Sequence, residues 1–252
     1  MRLTVLGSGD AFSGCGCNAG YIVDGRVLVD CGAPVHVLVH RTASSINDIR
    51  LLLVTHFHAD HTFMLPLLLG ARAFALDPAS QPLTIAGPVG TKEYAYRLLL
   101  DGYGTHILSM VESDLRPRFV VLQDGSDVAL EGYRVRAHAV VHSLGPSLAY
   151  TLRDESGTTI GFSGDSTMCA GLERSIKGCD AYVCECTSWD NPVPGGHLWS
   201  GQVATLIAAY PDTAFIISHL TERRELRGAI VAHDLLTLDI RSGTSSDQRG
   251  DD

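Results

Sequence analysis

Residues 51–69 read Leu51-Leu-Leu-Val-Thr-His56-Phe-His58-Ala-Asp60-His61-Thr-Phe-Met-Leu-Pro-Leu-Leu-Leu69, and this stretch decides the fold. The opening apolar run reads as a strand buried on both faces, the pattern of a parallel sheet covered by helices. The polar run begins at its carboxyl end, where open α/β layers place their ligand crevices. A single histidine would carry little weight, since most serve as surface donors or bonded core residues. Four strong ligands in six residues, spaced HxHxDH, point to metal. On a tight turn His56 and His58 can face one way while Asp60 and His61 face another, so two adjacent ions could be served. Imidazole with carboxylate suits zinc, with Mn²⁺ or Fe²⁺ as alternatives. Four ligands cannot complete two ions, so other strand ends must supply the rest.

The HxHxDH loop after a buried strand resembles the signature of the metallo-β-lactamase superfamily. The continuation Asp60-His-Thr-Phe-Met-Leu-Pro66 is most similar to its ribonuclease Z and small phosphodiesterase branch, with Met64 where that branch commonly carries Gly. The resemblance runs from Arg2 to Ile240 and implies a four-layer αββα sandwich. It implies that His142, in Val141-His142-Ser143, joins His56 and His58 on one ion. It implies that His219, in Ile-Ser-His219-Leu-Thr, joins Asp60 and His61 on the other, and that Asp165 of Ser-Gly-Asp165-Ser bridges the two. Asp30, in Asp30-Cys31-Gly32, matches an acid that supports a metal-bound histidine from behind, and Glu185 falls in a segment similar to the branch's Glu-Ala-Thr. His197, in the Pro- and Gly-rich loop at 192–197, aligns with a histidine that faces the substrate phosphate or leaving group. Asn18 matches the Asn of an Arg-Asn pair, but Cys17 replaces the Arg, which weakens any carried-over RNA contact.

The chain has 252 residues, 45% of them hydrophobic, with no linker dividing it. We expect a single domain over 1–241 and a disordered polar tail over 242–252. No apolar run approaches the roughly 20 residues of a membrane span. The Met-Arg-Leu-Thr-Val-Leu-Gly start is a strand without the h-region of a signal peptide, so a cytoplasmic location is expected. Seven cysteines, an odd number, fit reduced thiols, with Cys15 and Cys17 as small residues of a Gly-rich loop. A net charge of −9 argues against a large RNA as main partner, because polyanion binding depends on many Lys and Arg contacts.

Local patterns fill in the rest. Asp24-Gly25 signals a type I′ hairpin. Helices are expected over 33–41, where His36 and His40 read as surface or core residues, over 64–76, and over 91–112 with an interruption near Gly102–Gly104. A further helix begins at an N-cap Ser200, and a short helix follows His219. Alternation over 133–140 predicts a strand with one solvated face, which sets His138 inside it and His142 past its end.

The expected activity is that of a dinuclear hydrolase using two Zn²⁺ and a bridging hydroxide, most directly a phosphodiesterase on a small or nucleotide-like phosphodiester. Asp60, indirectly, or His197 would protonate the leaving oxygen. Ribonuclease Z-like RNA 3′-processing is the nearest alternative, but the long tRNA-binding arm of that enzyme has little room between His142 and His219. Hydrolysis of a lactone, thioester, aryl sulfate or β-lactam is a second, and a non-catalytic scaffold is last, since all seven ligand positions are filled. The resemblance also implies a homodimer.

Overall fold

The computed structural model describes residues 1–74, 82–142, 145–192 and 196–243. Fourteen strands among them form two seven-stranded sheets. They are β1 (Arg2–Gly7), β2 (Gly20–Val23), β3 (Val27–Val29), β4 (Leu51–Leu53), β5 (Thr84–Gly87), β6 (Arg118–Val121), β7 (Asp127–Leu130), β8 (Tyr133–Val140), β9 (Ser147–Arg153), β10 (Thr159–Phe162), β11 (Ala181–Glu185), β12 (Ala214–Ser218), β13 (Ala229–Val231) and β14 (Thr237–Asp239). The first sheet runs β14-β1-β2-β3-β4-β5-β6 and the second β13-β12-β11-β10-β9-β8-β7.

The helices are α1 (Val35–Leu38), α2 (Ala59–Thr62), α3 (Leu65–Phe74), α4 (Thr91–Met110), α5 (Ala170–Ile176) and α6 (Ser200–Ala209). Apolar residues of both sheets, among them Val5, Val29, Leu53, Val135, Leu152, Phe162 and Val183, meet in a central core. The other face of the first sheet, through Leu28, Leu52 and Ile85, packs on α1, α3 and α4. The outer face of the second packs Tyr182, Cys184, Phe215 and Ile217 against α5 and α6. The four layers are therefore α, β, β, α, as expected. Each fully buried Val, Leu or Ile in these layers contributes about 1.5–3 kcal/mol.

Strand direction gathers the site. β4 runs parallel to β3 and β5, and β10, β11 and β12 are mutually parallel. β8 and β10 are each antiparallel to β9 and so share a direction. The carboxyl ends of β4, β8, β10, β11 and β12 then carry His56–His61, His142, Asp165, Glu185–Thr187 and His219.

Several local expectations need correction, while the break in α4 and the Asp24-Gly25 turn are as expected. The helix at 33–41 shortens to α1 and one 3₁₀ turn over Val39–Arg41. The one at 64–76 is observed over Leu65–Phe74, and residues 75 and 76 lie outside the described residues. α4 breaks at Gly104, with φ 71° and ψ −172°, and a π-helical turn follows over Val111–Leu115. Trp199, not Ser200, occupies the N-cap position of α6, and the Ser200 hydroxyl donates instead to the Trp189 carbonyl. Residues 219–228 form loop and turn where a short helix was expected. Asp24 and Gly25 both take positive φ, 51° and 70°, as a type I′ hairpin requires. Of the tail, residues 244–252 lie outside the described residues.

Candidate metal centre

His56 follows the buried β4 and is itself buried; His58 stands at the opening, and α2 carries Asp60 and His61 inward. Gly32 makes this placement feasible, since a Cβ there would lie 1.6 Å from the Asp60 carbonyl oxygen. Cys31 N–H donates to the His61 carbonyl at 2.7 Å and ties the loops together.

Asp165 sits at the centre. Its Oδ2 lies 3.8 Å from His56 Nε2, 3.7 Å from His142 Nε2 and 3.4 Å from His219 Nε2, and its Oδ1 lies 3.3 Å from His61 Nε2. His142 Nε2 is 3.0 Å from His58 Nδ1, and His219 Nε2 is 3.1 Å from Asp60 Oδ2. Two donor groups result: His56, His58, His142 and Asp165, and Asp60, His61, Asp165 and His219. These are the seven residues expected from the sequence, brought together from four segments. Glu185, His197 and His219 form a third, adjoining group. Among the described residues, His36, His40, Cys15 and Cys17 join no such group.

The donor atoms fit divalent cations. Among the described residues, none hydrogen-bonds His56 Nε2, His61 Nε2 or either oxygen of Asp165, all buried. Buried polar atoms left without partners are costly, and ions between them would satisfy all four.

The supporting shell fixes which nitrogen of each ring is free. Asp30, with φ 58°, accepts from Thr55 N at Oδ1 and from the Thr55 hydroxyl at Oδ2, both at 2.8 Å. The hydroxyl has one hydrogen, so at 3.0 Å from His56 Nδ1 it must accept from that nitrogen, which leaves His56 Nε2 bare for a ligand bond. His61 Nδ1 donates to Asp30 Oδ2 at 2.7 Å. The second sheet repeats the arrangement: the Thr187 hydroxyl donates to Glu185 Oε2 at 2.7 Å and accepts from His219 Nδ1 at 2.8 Å. His142 Nδ1 donates to the Gly196 carbonyl at 2.9 Å. Carboxylates and carbonyls behind ligating histidines set ring orientation and basicity in this way. Asp30 and Glu185 were expected; Thr55 and Thr187 were not, and only their adjacency to His56 and Glu185 could have signalled them.

Charge balance agrees. Burial would lower His61 and His219, but Asp165 and, for His61, Asp30 reverse this and raise both above the usual histidine range. Burial would raise Asp165, yet His219, His61 and His56 hold it well below the carboxylate range. Burial also opposes ionisation of Asp60, and the His219 hydrogen bond and His61 charge bring it down to about 2. In the metal-free chain, protons hold places that cations would take. Half-buried His197 lies 3.2 Å from Glu185 Oε2 and 3.8 Å from Asp165 Oδ2. Burial lowers its pKa, but the Glu185 hydrogen bond and the charges of Glu185, Asp165 and Asp60 carry it up to about 9.

The β-lactamase superfamily domain matches residues 25–220 of this chain. The chain belongs to the metallo-β-lactamase superfamily. Within that superfamily it is similar to ribonuclease Z of Methanosarcina acetivorans, 24% identical over 311 aligned positions that cover 95% of this chain and 98% of the relative. That span exceeds the 252 residues here, so the relative carries segments this chain lacks. Its fold matches human tRNase Z, short form, with TM-score 0.77, 21% identity and coverage of 96% of this chain and 100% of the other. It also matches a diphosphatase from the PhnP family, with TM-score 0.71, 19% identity and 95% and 98% coverage. This metallo-β-lactamase-fold chain is a metal-dependent hydrolase. Among the described residues no helix is long and apolar enough to cross a membrane.

Proposed function

We propose that this chain is a phosphodiesterase acting on a small or nucleotide-like phosphodiester, with two divalent cations, zinc in the first instance, held by the two donor groups that share Asp165. His56, His58 and His142 would hold one ion and Asp60, His61 and His219 the other. Cations bound there lower the pKa of a coordinated water towards roughly 7 and neutralise charge on phosphate oxygens.

The observation that carries the reading is His197, held by Glu185 at 3.2 Å and set 3.8 Å from Asp165 at the edge of both donor groups. The Glu185 hydrogen bond favours the protonated ring, and the partly exposed imidazole would deliver that proton to a departing alkoxide. Asp60, at about 2, is ionised and accepts from His219, which suits a ligand and leaves the acid role to His197. A departing alkoxide needs such an acid more than the thiolate of a thioester or the phenolate of an aryl sulfate does.

RNA 3′-processing is the second reading, supported by the near full-length match to an enzyme named ribonuclease Z. The net charge of −9 and the shorter chain favour the smaller substrate. Turnover of bis(p-nitrophenyl) phosphate, a lactone, a thioester and a precursor tRNA, with added Zn²⁺ or Mn²⁺, separates the readings. Diester turnover without tRNA cleavage is expected; fast ester turnover without diester turnover reverses the ranking.

A further inference from the structure

A cationic groove lies on the outer face of β8 and β9, at the end of the strands away from the metal centre. Eight residues separate Arg134 from His142, about 26 Å of extended chain. α5 spans seven residues and covers the β8 half that bears Val140; the other half is left open and lined by cations. Arg134 and Arg136 point outward from β8, Arg153 from β9, and Arg174 and Lys177 come from α5 and its end. Together they border a groove of about 660 Å³.

Arg134 and Arg153 are direct cross-strand partners. Like charges so placed oppose sheet formation, and an anion between them would offset that repulsion. Protein carboxylates neutralise only part of the cluster. Asp127 bonds Arg134 and Arg136, and Asp124 bonds Arg174, all at exposed positions where such pairs hold weakly. Arg153 and Lys177 have no carboxylate within ion-pair distance among the described residues. His138 borders the same groove, and its Nε2 is buried without a hydrogen-bond partner.

We propose that this groove binds a small polyphosphate-bearing molecule, of the nucleoside polyphosphate kind, with its phosphates between Arg134, Arg153 and Lys177. The volume lies in the range of small-ligand pockets. Asp154 and Glu155 border the groove as well, and they would repel a continuous nucleic-acid backbone while accepting hydrogen bonds from sugar hydroxyls. The proposal stands apart from the reading of the metal centre.

The test is two-dimensional amide NMR of the zinc-loaded protein titrated with inorganic tripolyphosphate, with ATP, and with a single-stranded RNA dodecamer. Expected are saturable shifts at residues 134–138, 151–155 and 174–178 with tripolyphosphate and ATP, weakened at least tenfold by Arg153→Gln. Because that substitution removes a like-charge contact, the thermal midpoint should not fall, which separates lost binding from lost fold. Shifts confined to residues around His142, Asp165 and His219, or affinity unchanged in Arg153→Gln, overturn the proposal. Tighter binding of the dodecamer than of ATP overturns the choice of ligand and with it the proposal.

Discussion

The Thr187 hydroxyl lies 2.8 Å from His219 Nδ1, and its single hydrogen goes to Glu185 Oε2. His219 must therefore donate from Nδ1, which turns Nε2 towards Asp60 and Asp165. Replacing Thr187 by Val keeps the volume and removes the acceptor. Affinity for the second metal equivalent should fall roughly 10–100-fold, while Thr187→Ser should stay near the parent. Competition titration with a zinc chelator measures both; equal affinity in the Val variant would contradict the assignment.

Metal and protons compete at this centre. His61 and His219 have raised pKa values without metal, so binding at neutral pH displaces protons, and affinity should weaken as pH falls from 8 to 6. The metal-free chain should behave oppositely. A group raised in the folded state stabilises fully below its unfolded value, near 6.5 for histidine, and loses that effect as pH rises through the folded one, about 9 for His197. Asp60, lowered to about 2, stabilises above its ordinary 3.8 and loses that effect as pH falls through 2. Thermal midpoints in chelator should therefore decline from pH 6.5 to 9.5, and zinc should remove the decline.

Gly32 allows the close approach of the Asp30 loop to α2. With a Cβ 1.6 Å from the Asp60 carbonyl, Gly32→Ala must push α2 away and carry Asp60 and His61 with it. The variant should bind about one metal fewer per chain, read by plasma mass spectrometry.

Arg72 is fully buried on α3, and its guanidinium donates to the carbonyls of Ile46, Asn47 and Ile49, fixing the segment that leads into β4. Arg72→Leu strands those acceptors and should cost about 2–4 kcal/mol in urea unfolding. A loss below 1 kcal/mol would show that water replaces the guanidinium.

The parts of the site legible in the sequence were those with a short-range cause. His56 to His61 are adjacent, and a buried strand aims them. His142, Asp165 and His219 were placed by resemblance to the metallo-β-lactamase superfamily, and each follows a strand whose carboxyl end the layered fold brings to one edge. Thr55 and Thr187 were not legible, because their role depends on the destination of one hydroxyl hydrogen, which only the meeting with Asp30 and Glu185 decides. A short helix was expected after His219, yet Leu220 pairs instead with Ser8 and Asp10 of the N-terminal loop. That contact spans more than 200 residues and leaves no local trace. Ser200 has the residue type of an N-cap, but the Trp189 carbonyl claims its hydroxyl.

Metal content of wild-type protein and Asp165→Asn, measured after purification and zinc reconstitution, tests the central claim most directly. Asp165 is the one side chain common to both donor groups. About two zinc ions per wild-type chain, falling below one in Asp165→Asn, is the result the shared carboxylate requires. Two ions retained in the variant, or fewer than one in the wild type, would contradict it.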